Sequence, residues 1–506
     1  MPFVKENLQS NYTISVKSYK SLLTSLFVHP EREEIHGPDL CKLVVVTKEP
    51  EYLLTTFLCR DHSLHIFHRS KQTNPIIIPT ERLHAFKQLK MTQVTLQIGQ
   101  CGNQVGGQLF SGLVEDVNTK LSQTNLGQRA NSDYTDEVLE RFFHCPEKPG
   151  QLPQARAVMV DMEPKAIAQT CLEAKKSGLW MYPPKQQFWQ QRGSGNNWAH
   201  GFKVHGPAAE EKIFGMIQTE AEKCDNVSGF LTFMSLAGGT GSGVGAFITQ
   251  CLKDEFPHAF LLNQVVWPYS LGEVIVQNYN AVLTLSHLYQ SADAVLIMEN
   301  DQLHKICTQL LNIKKLGFKD INKVICHKLL GVLLPAVTEK YPGINSSNSL
   351  GVMLEHLVPC PSYKLLTVKN IPQMSDTSKD FSIDWQVKLE DSRRSLANTL
   401  ILRGRDLDTV DTSSFSDPRL YPPWVPSDSR LSVYTQPRVF SSYEKCATLV
   451  SNNKSPIYSL NSVIDKAWNM FSSRAYTHLY VKHGLTEEDF VDSFVTLEQV
   501  VANYKS

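Results

Sequence analysis

The chain has 506 residues, 42% of them hydrophobic and 9% aromatic, which is core material for more than one domain. Its 50 basic and 50 acidic residues cancel, which argues against nucleic-acid or membrane binding driven by bulk charge. No apolar run reaches membrane-span length, nothing near Ser21–Val28 reads as a secretory signal, and eleven scattered cysteines without a Cys-x-x-Cys pair read as reduced intracellular thiols.

Residues 1–90 stand apart as an extension of unknown fold. They hold one glycine, Gly37, of the chain's 27, six of its sixteen histidines, and twelve basic against nine acidic residues. Leu43–Val46 and Pro75–Ile78 are candidate strands, broken by Pro50 and Pro79. Cys59, His62, His65 and His68 carry ligand chemistry at three-residue intervals, which fits neither a strand face nor a zinc-binding pattern.

The character changes at Met91. Val94, Leu96 and Ile98 alternate with Thr95 and Gln97 at strand period, then run into Gly99-Gln100-Cys101-Gly102-Asn103-Gln104 and an apolar helix. Strand, glycine turn and helix present backbone N–H groups to an anion. A second strand, Ala155–Val160, ends in Asp161-Met162-Glu163-Pro164, whose carboxylates suit a magnesium ion or simply cap a helix. A third, Gly229–Leu236, leads into Ala237-Gly238-Gly239-Thr240-Gly241-Ser242-Gly243 and a helix with Val244, Phe247, Ile248, Cys251 and Leu252 on one stripe. Glycines alternating with hydroxyl residues let phosphates approach the backbone and add donors. The chain contains no Gly-Lys dipeptide, which excludes a P-loop. Gly241, Gly243 and Ala246 fit a loose dinucleotide pattern, but no acidic residue lies between Phe256 and Gly272 to hold a ribose.

Together these motifs resemble the tubulins. Gly99–Gly106 (GQCGNQVG), Asp161–Pro164 (DMEP), Gly193–Gly201 (GSGNNWAHG), Ala237–Gly243 (AGGTGSG) and Lys466–Tyr476 (KAWNMFSSRAY) fall in that family's order, from Met91 to about Ser506. Asp161–Lys165, Trp267–Tyr269, Glu273–Asn280 and Ser286–Tyr289 look like the delta-tubulin branch, and the chain's last residues lack a long acidic tail.

The resemblance implies an α/β fold: a Rossmann-like parallel-sheet GTP-binding domain with a central helix (91–334, the helix being Asp320–Leu334), a shortened α/β intermediate domain (335–460) and a C-terminal helical region (461–506). It implies GTP or GDP with Mg2+. Gln100 and Cys101 would meet the nucleotide, and Gln100, Asp161 and Glu163 would serve the metal. Asn196 would approach the terminal phosphate, and Ser235, Ala237, Gly238, Gly239, Thr240, Gly241, Ser242 and Gly243 would cradle the phosphates. Asn300 and Asn322 would read the base, a task an amide's donor and acceptor suit, with Phe318 stacking where tubulins usually place tyrosine. Gln277 replaces a ribose-contacting glutamate. Val352 occupies the position of the alpha-tubulin carboxylate that activates water on the next subunit's GTP, and Glu355 lies one turn further. The implied role is a cytoskeletal subunit at centrioles, basal bodies and cilia, partnered by other tubulin-family subunits or centriolar microtubules, with no membrane and no nucleic acid beyond the nucleotide. It would be at most a weak GTPase completed by its neighbour; the alternative is a non-polymerising GTP-binding regulator.

The remaining patterns are structural. Strands are expected at Ser362–Lys369 and Ala397–Arg403, and beside the tubulins it resembles the chain is short in the stretch from Ser375 to Leu396 between them. Pro418–Pro426 reads as a surface connection. Ile464, Trp468, Phe471 and Ala475 form one core stripe, and Phe490, Phe494, Leu497 and Val501 another.

Overall fold

The computed structural model describes β1 (Cys41–Val46), β2 (Leu53–Leu58), β3 (Leu64–His68), β4 (Ile76–Ile78), and residues 91–505 apart from 147–149, 273, 339–346, 373–393 and 442. The chain divides into two units, Met1–Leu89 and Lys90–Ser506. In the first, β1 to β4 pair in chain order as an antiparallel sheet. His65 and His68 fall within β3; Cys59, His62 and most of the 375–396 stretch lie outside the described residues.

The second unit opens with β5 (Met91–Ile98), then α1 (Gly99–Val117) and α2 (Gln128–Phe142). A small antiparallel pair follows, β6 (Phe143–His144) and β7 (Gln154–Ala155), then β8 (Ala157–Asp161), α3 (Pro164–Ser177) and β9 (Gln187–Trp189). Next come α4 (Gly206–Glu222), β10 (Asn226–Ser235), α5 (Gly245–Glu255), β11 (Phe260–Trp267), α6 (Gln277–Ser291) and β12 (Ala294–Glu299). These six larger strands lie parallel in the order β9-β8-β5-β10-β11-β12. The chain therefore winds outward one way from β5, returns, and winds the other way from β10. In such sheets ligands bind beyond the carboxyl ends of the strands at that reversal.

The sheet is covered on both faces, so its central strands are buried throughout. Val94, Leu96 and Ile98 pack with Ile213, Ile217 and Ile248 of α4 and α5. Leu231, Phe233 and Leu262 pack on the other face, with Leu109 and Leu113 of α1. Burial takes in the polar half of the β5 alternation too: Thr95 and Gln97 are inaccessible, and Tyr182 donates a hydrogen bond to Gln97 Oε1 at 3.0 Å.

The long helix α7 (Phe318–Leu333) starts two residues earlier than expected. Asp320 accepts the Gly317 N–H at 3.1 Å there. At its other end two buried arginines take up carbonyls: Arg141 Nη1 donates to Leu333 at 3.0 Å, and Arg403 donates to Leu334 at 2.6 Å and Pro335 at 2.9 Å. Guanidinium groups there complement the negative end of the helix dipole. After α8 (Leu350–Leu357), β13 (Leu365–Ile371) joins β12 in parallel, and the sheet continues through β16 (Lys445–Asn453), β14 (Ser395–Gly404) and β15 (Leu431–Gln436) to ten strands. The intermediate region is thus an extension of the same sheet.

Helices α9 (Pro456–Ser472), α10 (Thr477–Val481) and α11 (Glu487–Lys505) close the chain. Phe490, Phe494, Leu497 and Val501 are buried, as the stripe predicts. The first stripe is corrected in part: Trp468 is 45% exposed, and Ala475 falls beyond the end of α9. The Pro418–Pro426 reading is also corrected, because Tyr421 and Val425 are buried and Asn398 donates to Tyr421 Oη at 2.8 Å. Among the described residues no helix is long and apolar enough to cross a membrane.

On α7, burial drives His327, stacked 5.1 Å from Phe440, down from 6.5 to about 4. The depressed value means its stabilising contribution is complete above pH 6.5 and is lost as the pH falls through that window to about 4. Denaturation measured across the window should show an acid loss of about 3 kcal/mol from this group, and His327→Phe should flatten that part of the profile.

Candidate nucleotide site

The two glycine-bearing turns meet at the reversal between β5 and β10. Gly99 leaves β5 with φ +73°, and a Cβ there would lie 2.9 Å from the Gly241 nitrogen. Glycine is therefore required twice, by backbone conformation and by close approach. Asn103, inaccessible to solvent, donates to the carbonyls of Gly99 at 2.9 Å and Val160 at 3.1 Å, tying the first turn to β8. The N-terminal ends of α1 and of the helical run into α5 converge here, so backbone N–H groups and two positive dipole ends share one opening.

In the second turn Ala237 N–H donates to Ser235 Oγ at 3.2 Å, Ser242 donates to the Gly238 carbonyl, and Thr240 Oγ1 meets Ser194 Oγ at 3.1 Å. The glycines do not all serve one purpose. A Cβ on Gly239 would sit 2.8 Å from the backbone N and O of Asn197, and one on Gly243 would sit 2.3 Å from the Trp198 carbonyl. Packing of the 194–202 segment thus demands these two on its own account. Gly238 is open, its nearest neighbour being Asn196 Oδ1 at 3.7 Å from an added Cβ. Both packed segments, His200–His205 and Thr240–Val244, form wide π-type turns, a feature often found at functional sites.

The other expected residues follow the carboxyl ends of strands in the same sheet or lie on α7, which packs on α1. Gln100 is exposed and Cys101 half-buried, its thiol pushed up to about 12 by burial and so neutral. Asn196 is exposed and left-handed (φ +52°), directly after left-handed Gly195. Asn300 follows β12 and Asn322 lies on α7; both are buried, the Asn300–Lys305 helix packs on α7, and among the described residues neither amide makes a side-chain hydrogen bond. Phe318, 61% exposed, stands one turn before Asn322 on the same face of α7.

Asp161 and Glu163 end β8 as a buried and an exposed carboxylate. Burial pushes Asp161 up to about 6, against the N–H groups of Met162 and Glu163, which favour its charged form. Among the described residues no cluster of three metal-ligating side chains exists. Two carboxylates fit magnesium nonetheless, because that ion takes one or two from protein and completes its shell with phosphate and water. Gln277, which stands where the resemblance places a ribose-contacting glutamate, donates its amide to the Tyr269 carbonyl at 2.9 Å, and its Oε1 lies against Gly272.

Sequence reasoning missed Asn280. Inaccessible on α6, it donates to the carbonyls of Asn196 at 2.8 Å and Ala237 at 2.7 Å and accepts from Trp198 N–H at 3.0 Å. No spacing rule marks a residue whose partners lie more than forty positions away.

The Tubulin/FtsZ family GTPase domain matches residues 93–308. The chain is 47% identical over 456 residues to the tubulin delta chain of Mus musculus, spanning 82% of this chain and 99% of that protein. It is 45% identical over 454 residues to the tubulin delta chain of Homo sapiens, with the same coverage of 82% and 99%. Against the tubulin beta-2 chain of Emericella nidulans identity is 26% over 433 residues, spanning 81% of this chain and 93% of that one.

Proposed function

The chain belongs to the tubulin family, and from that premise we propose that it holds GTP or GDP with Mg2+ at the β5–β10 reversal and acts in centriole, basal-body and ciliary microtubule organisation. Membership of the family itself makes it a GTP-binding cytoskeletal protein. The observation that carries the site is the close approach of the Gly99 and Gly241 turns at the reversal of strand order; the buried amides of Asn300 and Asn322, which among the described residues make no side-chain hydrogen bond, support the base contact.

Backbone N–H groups of the Gly238–Ser242 turn, with the Thr240 hydroxyl, hold the phosphates, while Ala237, Ser242 and Gly243 shape the turn through their internal hydrogen bonds; Asn196 faces the terminal phosphate; Asn300 and Asn322 read guanine over Phe318. Magnesium, when bound, neutralises phosphate charge, and Gln100, Asp161 and Glu163 are the residues that serve it. Between successive subunits the nucleotide biases their association. Similarity to delta chains supports the centriolar and ciliary assignment. A second reading, a GTP-binding regulator that does not polymerise, is favoured by Val352 in place of a carboxylate.

The test is the nucleotide released from purified protein, which should be guanine. Asn322→Ala should weaken binding by about 5- to 150-fold, the range for leaving a buried polar group unpaired. Gly241→Arg should abolish retention, since even its Cβ would lie 3.1 Å from the Ser235 nitrogen. Adenine nucleotide, or unchanged affinity in Asn322→Ala, would overturn the site.

A further inference from the structure

Asn280 has a fourth partner, and it comes from the far end of the chain. Tyr480 on α10 donates to Asn280 Oδ1 at 2.6 Å and lies 3.5 Å from the Val276 carbonyl. The amide is thereby saturated, with two hydrogen bonds donated and two accepted. Two further ties join the 194–202 segment to α10 and the turn after it: Asn197 Nδ2 donates to the Leu479 carbonyl at 3.1 Å, and the His200 ring stacks on His483 with centroids 4.3 Å apart. Asn196, Asn197 and His200 belong to the segment that packs on Gly239 and Gly243, so α10 and the turn after it form the outer wall of the phosphate turns.

We propose that Asn280 and Tyr480 are positioning residues that couple nucleotide occupancy to the C-terminal segment Ala475–Gly484. Asn280 fixes the carbonyls of Asn196 and Ala237, one in each phosphate-facing segment, at a set separation, and Tyr480 fixes the Asn280 amide. Deleting the tyrosine hydroxyl leaves a buried acceptor short of a partner and frees the amide to turn, which loosens both segments together. Linkage makes the coupling reciprocal: what strengthens nucleotide binding through this tie must also strengthen the seating of α10, by the same factor. The proposal rests on the nucleotide site argued above.

Tyr480→Phe tests it in the full chain, because the ring and its packing are kept. Expected results are an approximately tenfold loss of GTP affinity and a thermal destabilisation larger with saturating GTP than without. In the native chain GTP should slow amide exchange across 475–484, and Tyr480→Phe should remove that protection. Asn280→Asp, which keeps both accepting bonds and loses both donated ones, should weaken GTP binding more than Tyr480→Phe. Equal destabilisation with and without GTP, at unchanged affinity, would make the tie merely structural and overturn the proposal. If the native chain fails to bind GTP at all, the nucleotide reading falls first and the coupling with it.

Discussion

Val352→Glu should accelerate hydrolysis of GTP held by the subunit beneath this one by about 10²-fold or more in single-turnover co-assembly, the scale of general-base assistance. The native chain should be a poor activator. Val352 is half-buried on α8, at the position where the family resemblance places a water-activating carboxylate. Glu355 is exposed, but it sits about 4.5 Å further along the helix and about 60° round it. Rotation cannot bring it into place. Leu350, Met353, Leu354 and Leu357 anchor the buried face of α8, and His356 Nε2 lies 2.9 Å from the Asn398 carbonyl. Glu355→Ala should therefore leave hydrolysis unchanged; strong native activation that disappears in Glu355→Ala would make Glu355 the catalytic carboxylate.

Arg438→Ala should cost about 3–5 kcal/mol, measured by chemical denaturation, because it strands a buried carboxylate. Arg438 and Asp116 pair at 2.8 Å with side chains 1% and 6% exposed. The same guanidinium donates to the Asp116 carbonyl at 2.6 Å and to Asn131 Oδ1 at 3.2 Å, and lies 4.5 Å over the Tyr134 ring. Tyr134 in turn donates to Asp116 Oδ2 at 2.9 Å. Arg438, two positions past the end of β15, thus locks the C-terminal end of α1 to α2. Removing both charges in Arg438→Ala/Asp116→Ala should cost less than the two single losses summed. A loss below about 1 kcal/mol, the range for exposed pairs, would contradict this account.

What the sequence made legible was local. Strand period at Val94–Ile98, glycines at fixed offsets and the buried stripe of α11 each follow from neighbouring residues, so the first strand of the sheet, the glycine turns and the last helix could be drawn before any coordinates. Apart from helix ends, such as that of α9 before Ala475, its failures are long-range. β12 and β13 join through only two residue pairs, Val295 with Leu365 and Leu296 with Leu366, too few to leave a pattern. Tyr421 sits in a proline-rich stretch that reads as surface, yet it is buried because Asn398 and the Phe415 carbonyl satisfy its hydroxyl. Asn280 looked like one letter of a motif, since its role exists only once residues 196, 198, 237 and 480 converge on it. Gly239 and Gly243 look identical to Gly238 in sequence, and only the 194–202 segment lying against them tells them apart.

The two arginines at the end of α7 make that helix a rod with a detent. From Asn322 to Leu333 it spans about 16 Å, while an axial slip of one residue is about 1.5 Å. Arg141 and Arg403 grip consecutive carbonyls, one rooted in α2 and the other in β14. A slip of that size would unseat both guanidinium groups together, in a place where water cannot replace the lost bonds. The two grips therefore act as one catch against sliding: the helix cannot be displaced along its axis by a residue while either guanidinium keeps its carbonyl.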